Sequence, residues 1–166
     1  VDPVKISFAP LTYEEKAFVS HRTGVDYTGA PMDNDRWFCV TARDGDGKLA
    51  GVILCEFINH FEAYFTSAVA DPRCVSRRLL RAVFTALFSR AVRLTAFVDV
   101  DNKRAIKNAI AMGFVYEGFC RLGINGVTNA YTFGMLKGDC KFLPGYAGGT
   151  TLTMEFPDGQ RDARPA

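Results

Sequence analysis

Between Val92 and Leu136 the chain spells strand, helix, strand and hairpin return, and this run constrains the fold more than any other stretch. Val92 to Val100 is a compact apolar strand. Asn102 to Met112 reads as a helix stopped by Gly113, a residue suited to the left-handed cap that ends helices. Phe114 to Ile124 is a second strand, and two strands joined through a helix imply parallel pairing. Asn125-Gly126 then signals a tight hairpin, with the chain returning through Tyr131 to Leu136. Upstream the pattern is an antiparallel meander. Trp37 to Ala42 and Leu49 to Ile58 flank the turn formers Asp44-Gly45-Asp46-Gly47, and Phe61 to Val69 continues as a third strand until Asp71-Pro72. A chain that combines both patterns is expected to build one mixed α/β sheet, mostly antiparallel.

The flanking elements fit that sheet. Val4 to Phe8 alternates apolar and polar as a half-buried strand does, and Pro10 ends it. Thr12-Tyr13-Glu14-Glu15 has the spacing of a capping box, which predicts a helix running towards Ser20. Gly24 to Asp35 is a loop without period. From Ser76 to Arg90, Leu79, Leu80, Val83, Phe84, Leu87 and Phe88 recur on one helical face. Lys141 to Ala166 is Gly-rich, with a strand-like piece at Thr150 to Phe156 and a Phe142-Leu143-Pro144 stretch that could pack as a strap. The expected division is a domain over 1–140 and an extension over 141–166.

The chain has 166 residues, 48% of them hydrophobic, enough for one filled core. A net charge of +2 gives no reason to expect nucleic acid or an anionic membrane as partner. The five cysteines are widely spaced without a C-x-x-C pair, so no metal site is expected and the thiols suit a reducing, cytoplasmic compartment. No apolar run approaches the length of a membrane span.

Arg73, Arg77, Arg78 and Arg81 cluster at the start of the long amphipathic helix, where each cation is disfavoured by about 0.3–1 kcal/mol. A bound anion would offset this, and a helix start with free amides and guanidinium groups suits phosphate. A merely solvated arginine surface explains the same cluster. Together with Lys103, Arg104 and Lys107 these arginines could also form a nucleic-acid contact, a weaker reading that salt dependence would test.

The order of elements, with Asn102-Lys-Arg-Ala105-Ile106, Met112-Gly113-Phe114, Glu117-Gly118, Arg121 and Tyr131-Thr-Phe-Gly-Met135-Leu136, resembles the GNAT family of N-acetyltransferases over about Val4 to Lys137. The nearest style is that of the ribosomal-protein N-terminal acetyltransferases. The resemblance implies acetyl-CoA as cosubstrate, gripped between splayed parallel strands at Phe61–Val69 and Val92–Val100. Pantetheine would bond to backbone around Ala68 and Val69, and the pyrophosphate would sit at Arg73, Ser76, Arg77 and Arg78. Ser76 and Arg78 replace the two glycines of the family's loop, which crowds the phosphate or lets an arginine reach over it. Asn102 matches the family's coenzyme-contacting Asn, although an ordinary helix cap explains it equally.

Transfer to an amine needs a base, donors for the thioester oxyanion and an acid for the thiolate. The family's frequent Tyr acid is replaced by Ala109, and its frequent Glu base falls near Ala63, with Glu62 on the opposite face. Glu56 and Tyr64 are the candidate catalytic pair. Glu56 and Glu117 sit in apolar strand contexts that would suit a base, while an outward pleat explains both more simply. Tyr64, Tyr116 and Tyr131 are spare phenols that could equally be packing, and His21 and His60 read as surface residues. Backbone amides near Val69 could hold the oxyanion.

The resemblance therefore leaves two functions. One is an N-acyltransferase acting on an amine by direct transfer. The other is a GNAT-like binding or structural protein without turnover, since GNAT-like chains also occur among proteins of short-tailed phages. Self-association through residues 141–166 is expected in either case, because Thr150 to Phe156 could add a strand to a neighbouring subunit.

Overall fold

The computed structural model describes residues 4–32, 35–146 and 148. The strands are β1 (Lys5–Ser7), β2 (Trp37–Arg43), β3 (Leu49–Phe57), β4 (Glu62–Val69), β5 (Arg93–Asp99), β6 (Val115–Ile124) and β7 (Thr128–Leu136). The helices are α1 (Tyr13–Thr23), α2 (Arg77–Phe88) and α3 (Lys103–Met112). The seven strands among the described residues join one sheet in the order β1-β2-β3-β4-β5-β7-β6. Every pairing is antiparallel except β4 with β5. This is the mixed, mostly antiparallel α/β sheet that the sequence predicts.

Local chemistry sets the element ends. Thr12 accepts a hydrogen bond from the Glu15 amide while the Glu15 carboxylate accepts from the Thr12 amide, so the capping box forms as read. Gly113 closes α3 at φ 104°, a conformation that a side chain would strain. At the β6–β7 turn Asn125 and Gly126 take φ 55° and 67°, as a tight hairpin requires.

The strand-helix-strand run behaves differently from the expectation of direct pairing. β5 and β6 do run in the same direction, but β7 lies between them and pairs antiparallel with both. The short Asn125-Gly126-Val127 turn makes β7 a neighbour of β6, and β7 in turn satisfies the far edge of β5. β1 also departs from its half-buried reading: Lys5, Ile6 and Ser7 are all exposed on an edge strand.

Alternation along the strands splits the sheet into two faces. Phe65, Leu94, Ala96, Phe133 and Met135 point to the face covered by α2 and α3, where Leu80, Val83, Phe84, Leu87, Ile106 and Ala109 complete a dry core. Phe142 enters this core as a strap, its ring stacked 5.3 Å from Phe84, while its carbonyl accepts from Arg81. The opposite face is smaller: Cys39, Val52, Leu54 and Ala68 pack under Val19 and Phe18 of α1. Thr150 to Phe156 lies outside the described residues.

Candidate functional site

β4 and β5 pair through only three residue couples, Glu62 with Arg93, Ala63 with Leu94 and Tyr64 with Thr95. Beyond Tyr64 and Thr95 they part, although β4 stays paired to β3 as far as Val69 and β5 to β7 as far as Asp99. Phe65–Val69 and Ala96–Asp99 therefore present peptide edges without ladder partners to one another. Such backbone groups need a hydrogen-bond partner from elsewhere. A cleft of about 570 Å³ occupies the gap and runs through the sheet, from Tyr27 and Trp37 on the α1 side to Ala105 and Ala109 on the α3 side.

Five of the candidate catalytic and coenzyme-binding residues meet at this cleft: Glu56, Tyr64, Ala68, Val69 and Asn102. Glu56 and Tyr64 are direct cross-strand partners on one face, so their side chains are neighbours. Glu56 forms an ion pair with Arg36 at 2.5 Å, and its side chain keeps 22% of its exposure. Tyr64 packs edge-on against Phe97 with centroids 5.3 Å apart. Asn102 caps α3 by accepting from the Ala105 amide at 3.0 Å, and it also faces the cleft. The helix-cap reading of Asn102 is therefore met.

Arg73, Ser76, Arg77 and Arg78 do not line the cleft. Arg73 is turned back on Asp71 through its Nε and Nη2, the latter at 2.6 Å, and hydrogen bonds from the Arg73 guanidinium and amide hold the Asp71 carboxyl below its ordinary value. Ser76 is the N-cap of α2 and accepts from the Leu79 amide at 3.1 Å. Arg77 and Arg78 are exposed in the first turn. The four-arginine cluster therefore divides. Arg73 serves Asp71, Arg81 serves the Phe142 carbonyl, and Arg77 and Arg78 face solvent at the helix start.

Further residues line the cleft, and two of them, Arg22 and Tyr27, are not among the residues that the sequence singles out. Arg22 at the end of α1 donates to the Val69 carbonyl at 3.4 Å and Arg104 stands on the opposite wall. Tyr27, from the loop without period, shares a hydrogen bond of 3.3 Å with Thr66. Burial pushes the Tyr27 phenol above its ordinary value against that hydrogen bond, and the Glu56 charge adds to the rise. Asn125 at the hairpin tip donates to the Gly24 carbonyl, which ties β6–β7 to the end of α1 along the cleft wall. Only the fact that Tyr27 is the single aromatic residue between Gly24 and Asp35 could have suggested it.

Next to the cleft, Thr95 donates to Glu62 at 2.5 Å, and Arg93 bridges Glu62 and Glu117. The hydrogen bonds that Arg93 donates to the Glu117 carboxylate are the main cause holding its guanidinium above the ordinary value. Gly134 leaves the room that the Glu117 carboxylate fills. Glu62 and Glu117 are thus ion-paired on the open face. Tyr131 is buried against Tyr116 and Phe119. Ala63 and Ala109 are both buried, the latter at the cleft wall where a phenol could have supplied a proton.

A sheet opened between two parallel strands, with helices on both faces, defines a fold found among solved acetyltransferases. The chain superposes on the spermidine/spermine N-acetyltransferase SpeG from Vibrio cholerae with a TM-score of 0.59 and 18% identity, covering 81% of this chain and 95% of that one. It also superposes on the ribosomal-protein-S5-alanine acetyltransferase from Vibrio fischeri with a TM-score of 0.57 and 15% identity, over 83% and 95% of the two chains. The fold is that of the GNAT acetyltransferases. No family model matches the chain and no curated protein does.

Proposed function

We propose that this chain is an acetyl-CoA-dependent N-acyltransferase that delivers an acetyl group directly to an amine. The observation that carries this reading is the pair of unladdered edges at Phe65–Val69 and Ala96–Asp99, which border a cleft of about 570 Å³. An extended, amide-bearing arm such as pantetheine supplies the hydrogen bonds those edges lack. Ala68 and Val69 would hold it through backbone, with Asn102 at the far wall. Arg77 and Arg78, with the α2 amides not used by Ser76, would receive the pyrophosphate, joined by Arg73 when it leaves Asp71. When bound, the thioester supplies an activated acyl carbon.

The residues of the chain then have separable tasks. Glu56 accepts the proton from the attacking amine, directly or through water, and Tyr64 beside it offers a hydroxyl to the leaving thiolate. Backbone amides near Val69 would hold the oxyanion. A binding protein of the same shape without turnover is the second reading, favoured by Ala109 at the position of the family's acid and by Ser76 and Arg78 in place of the loop glycines.

Calorimetric titration with acetyl-CoA and free CoA tests the first reading, with the Arg77→Ala, Arg78→Ala double variant as comparison. Binding in the wild type that weakens about tenfold or more in the variant supports it, since two charge-assisted contacts to phosphate are lost. Absence of binding to the wild type would sink the transferase and leave an interaction protein.

A further inference from the structure

On the α1 face, Trp37, Glu56 and Tyr64 form one in-register row across β2, β3 and β4. Tyr27 meets Trp37 edge-on at 6.4 Å between centroids, and Phe97 meets Tyr64 edge-on at 5.3 Å. The carboxylate therefore stands between two aromatic pairs, and all five side chains line the same cleft. Aromatic faces around a carboxylate attract an organic cation twice, through the ring quadrupoles and through the full negative charge.

We propose that the acceptor binds as an alkylammonium ion in the box formed by Tyr27, Trp37, Glu56, Tyr64 and Phe97. This rests on the acyltransferase reading for its chemistry, but the cation site stands on its own geometry. Arg36 is the resident counter-charge of Glu56, and with 61% of its side chain exposed it can swing away when an ammonium enters. The box sets specificity: a neutral group of the same shape loses both attractions, and an anion meets Glu56. Delivery of the cation beside Glu56 puts the amine proton next to its acceptor.

The chain's sole tryptophan is Trp37, so its fluorescence reports occupancy of the box without interference. The probe is choline, which cannot be acetylated on nitrogen, compared with its neutral isostere 3,3-dimethylbutan-1-ol. A saturable change with choline, at least about tenfold weaker for the isostere, is expected. Glu56→Gln should weaken choline about tenfold, Tyr64→Leu should weaken it less, and Arg36→Ala should strengthen it by freeing the carboxylate. n-Butylammonium and a lysine-bearing tripeptide, titrated in competition with choline, tell a free alkylamine from a side-chain amine. Equal response to choline and the isostere, no effect of Glu56→Gln in a variant that unfolds normally, or failure of both amines to compete overturns the assignment. If Glu56→Gln does not fold, the choline and isostere comparison on the wild type decides alone. Choline binding without acetyl-CoA binding keeps the cation site and removes the transferase; the reverse result removes the cation site only.

Discussion

The two faces of the sheet are built from alternate residues of the same strands and have opposite characters. Under α2 and α3, Phe65, Phe84, Phe114, Phe133 and Phe142 interlock in an apolar core that the cleft reaches at Phe65 and Phe114. Under α1, the matching positions are Glu56, Glu62, Tyr64, Thr66, Thr95 and Phe97, and the helix covers only part of them. The dry face determines where the strands lie. The open face inherits that geometry and uses it to hold polar groups in fixed positions at little cost to stability.

The sharpest way to break this contrast is a truncation on each face. Phe84 is fully buried and stacks on Phe65, Phe88 and Phe142 at 5.8, 6.3 and 5.3 Å, so Phe84→Ala should destabilise by about 3–5 kcal/mol in urea unfolding. Tyr64→Ala on the open face removes a side chain that is 37% exposed and should cost roughly 1 kcal/mol. Comparable losses at both positions would mean that the open face is structural, and the functional reading of Glu56 and Tyr64 would weaken with it.

A smaller change sharpens the contrast on the open face alone. Tyr64→Phe keeps the ring and its edge-on contact with Phe97 and removes only the hydroxyl. If the hydroxyl donates to the thiolate, turnover should fall about 100-fold with KM nearly constant. Unchanged turnover in an active enzyme would assign Tyr64 to the aromatic box and leave protonation of the thiolate to solvent.

The dry face was the more legible of the two in sequence, for a physical reason. Burial against a helix demands apolar residues at fixed period, so Leu80, Val83, Phe84 and Leu87 declare themselves, and positive φ at Gly113 and at Asn125-Gly126 declares the ends. Glu56 and Tyr64 could be named from their strands, but nothing in the period says that they face each other, because register is a property of two strands at once. The insertion of β7 between β5 and β6 escaped for the same reason. Tyr27 was hidden by lying in a loop, where no period marks the inward side. The arginine cluster divides in a way that residue type does not announce: Arg73 finds Asp71 and Arg81 finds the Phe142 carbonyl, while Arg77 and Arg78 stay exposed.

The smallest effect concerns the junction where the open strand β4 hands over to α2. Asp71 accepts from the Arg73 guanidinium and amide, and these bonds depress its carboxyl below the ordinary value. A depressed carboxyl contributes stability that is present above its unfolded value and lost as pH falls through its folded value. The wild type should therefore lose a small increment of thermal stability on acidification below about pH 4 that Asp71→Asn lacks, small because Arg73 is solvent-exposed and Asp71 only partly covered. The same substitution releases Arg73, whose side chain is 79% exposed, towards the start of α2. If phosphate docks there with Arg77 and Arg78, Asp71→Asn should bind CoA up to several-fold more tightly at neutral pH, and more so at low salt. Unchanged CoA affinity, with the acid-stability difference intact, would confine Arg73 to a structural latch and leave the phosphate to Arg77 and Arg78.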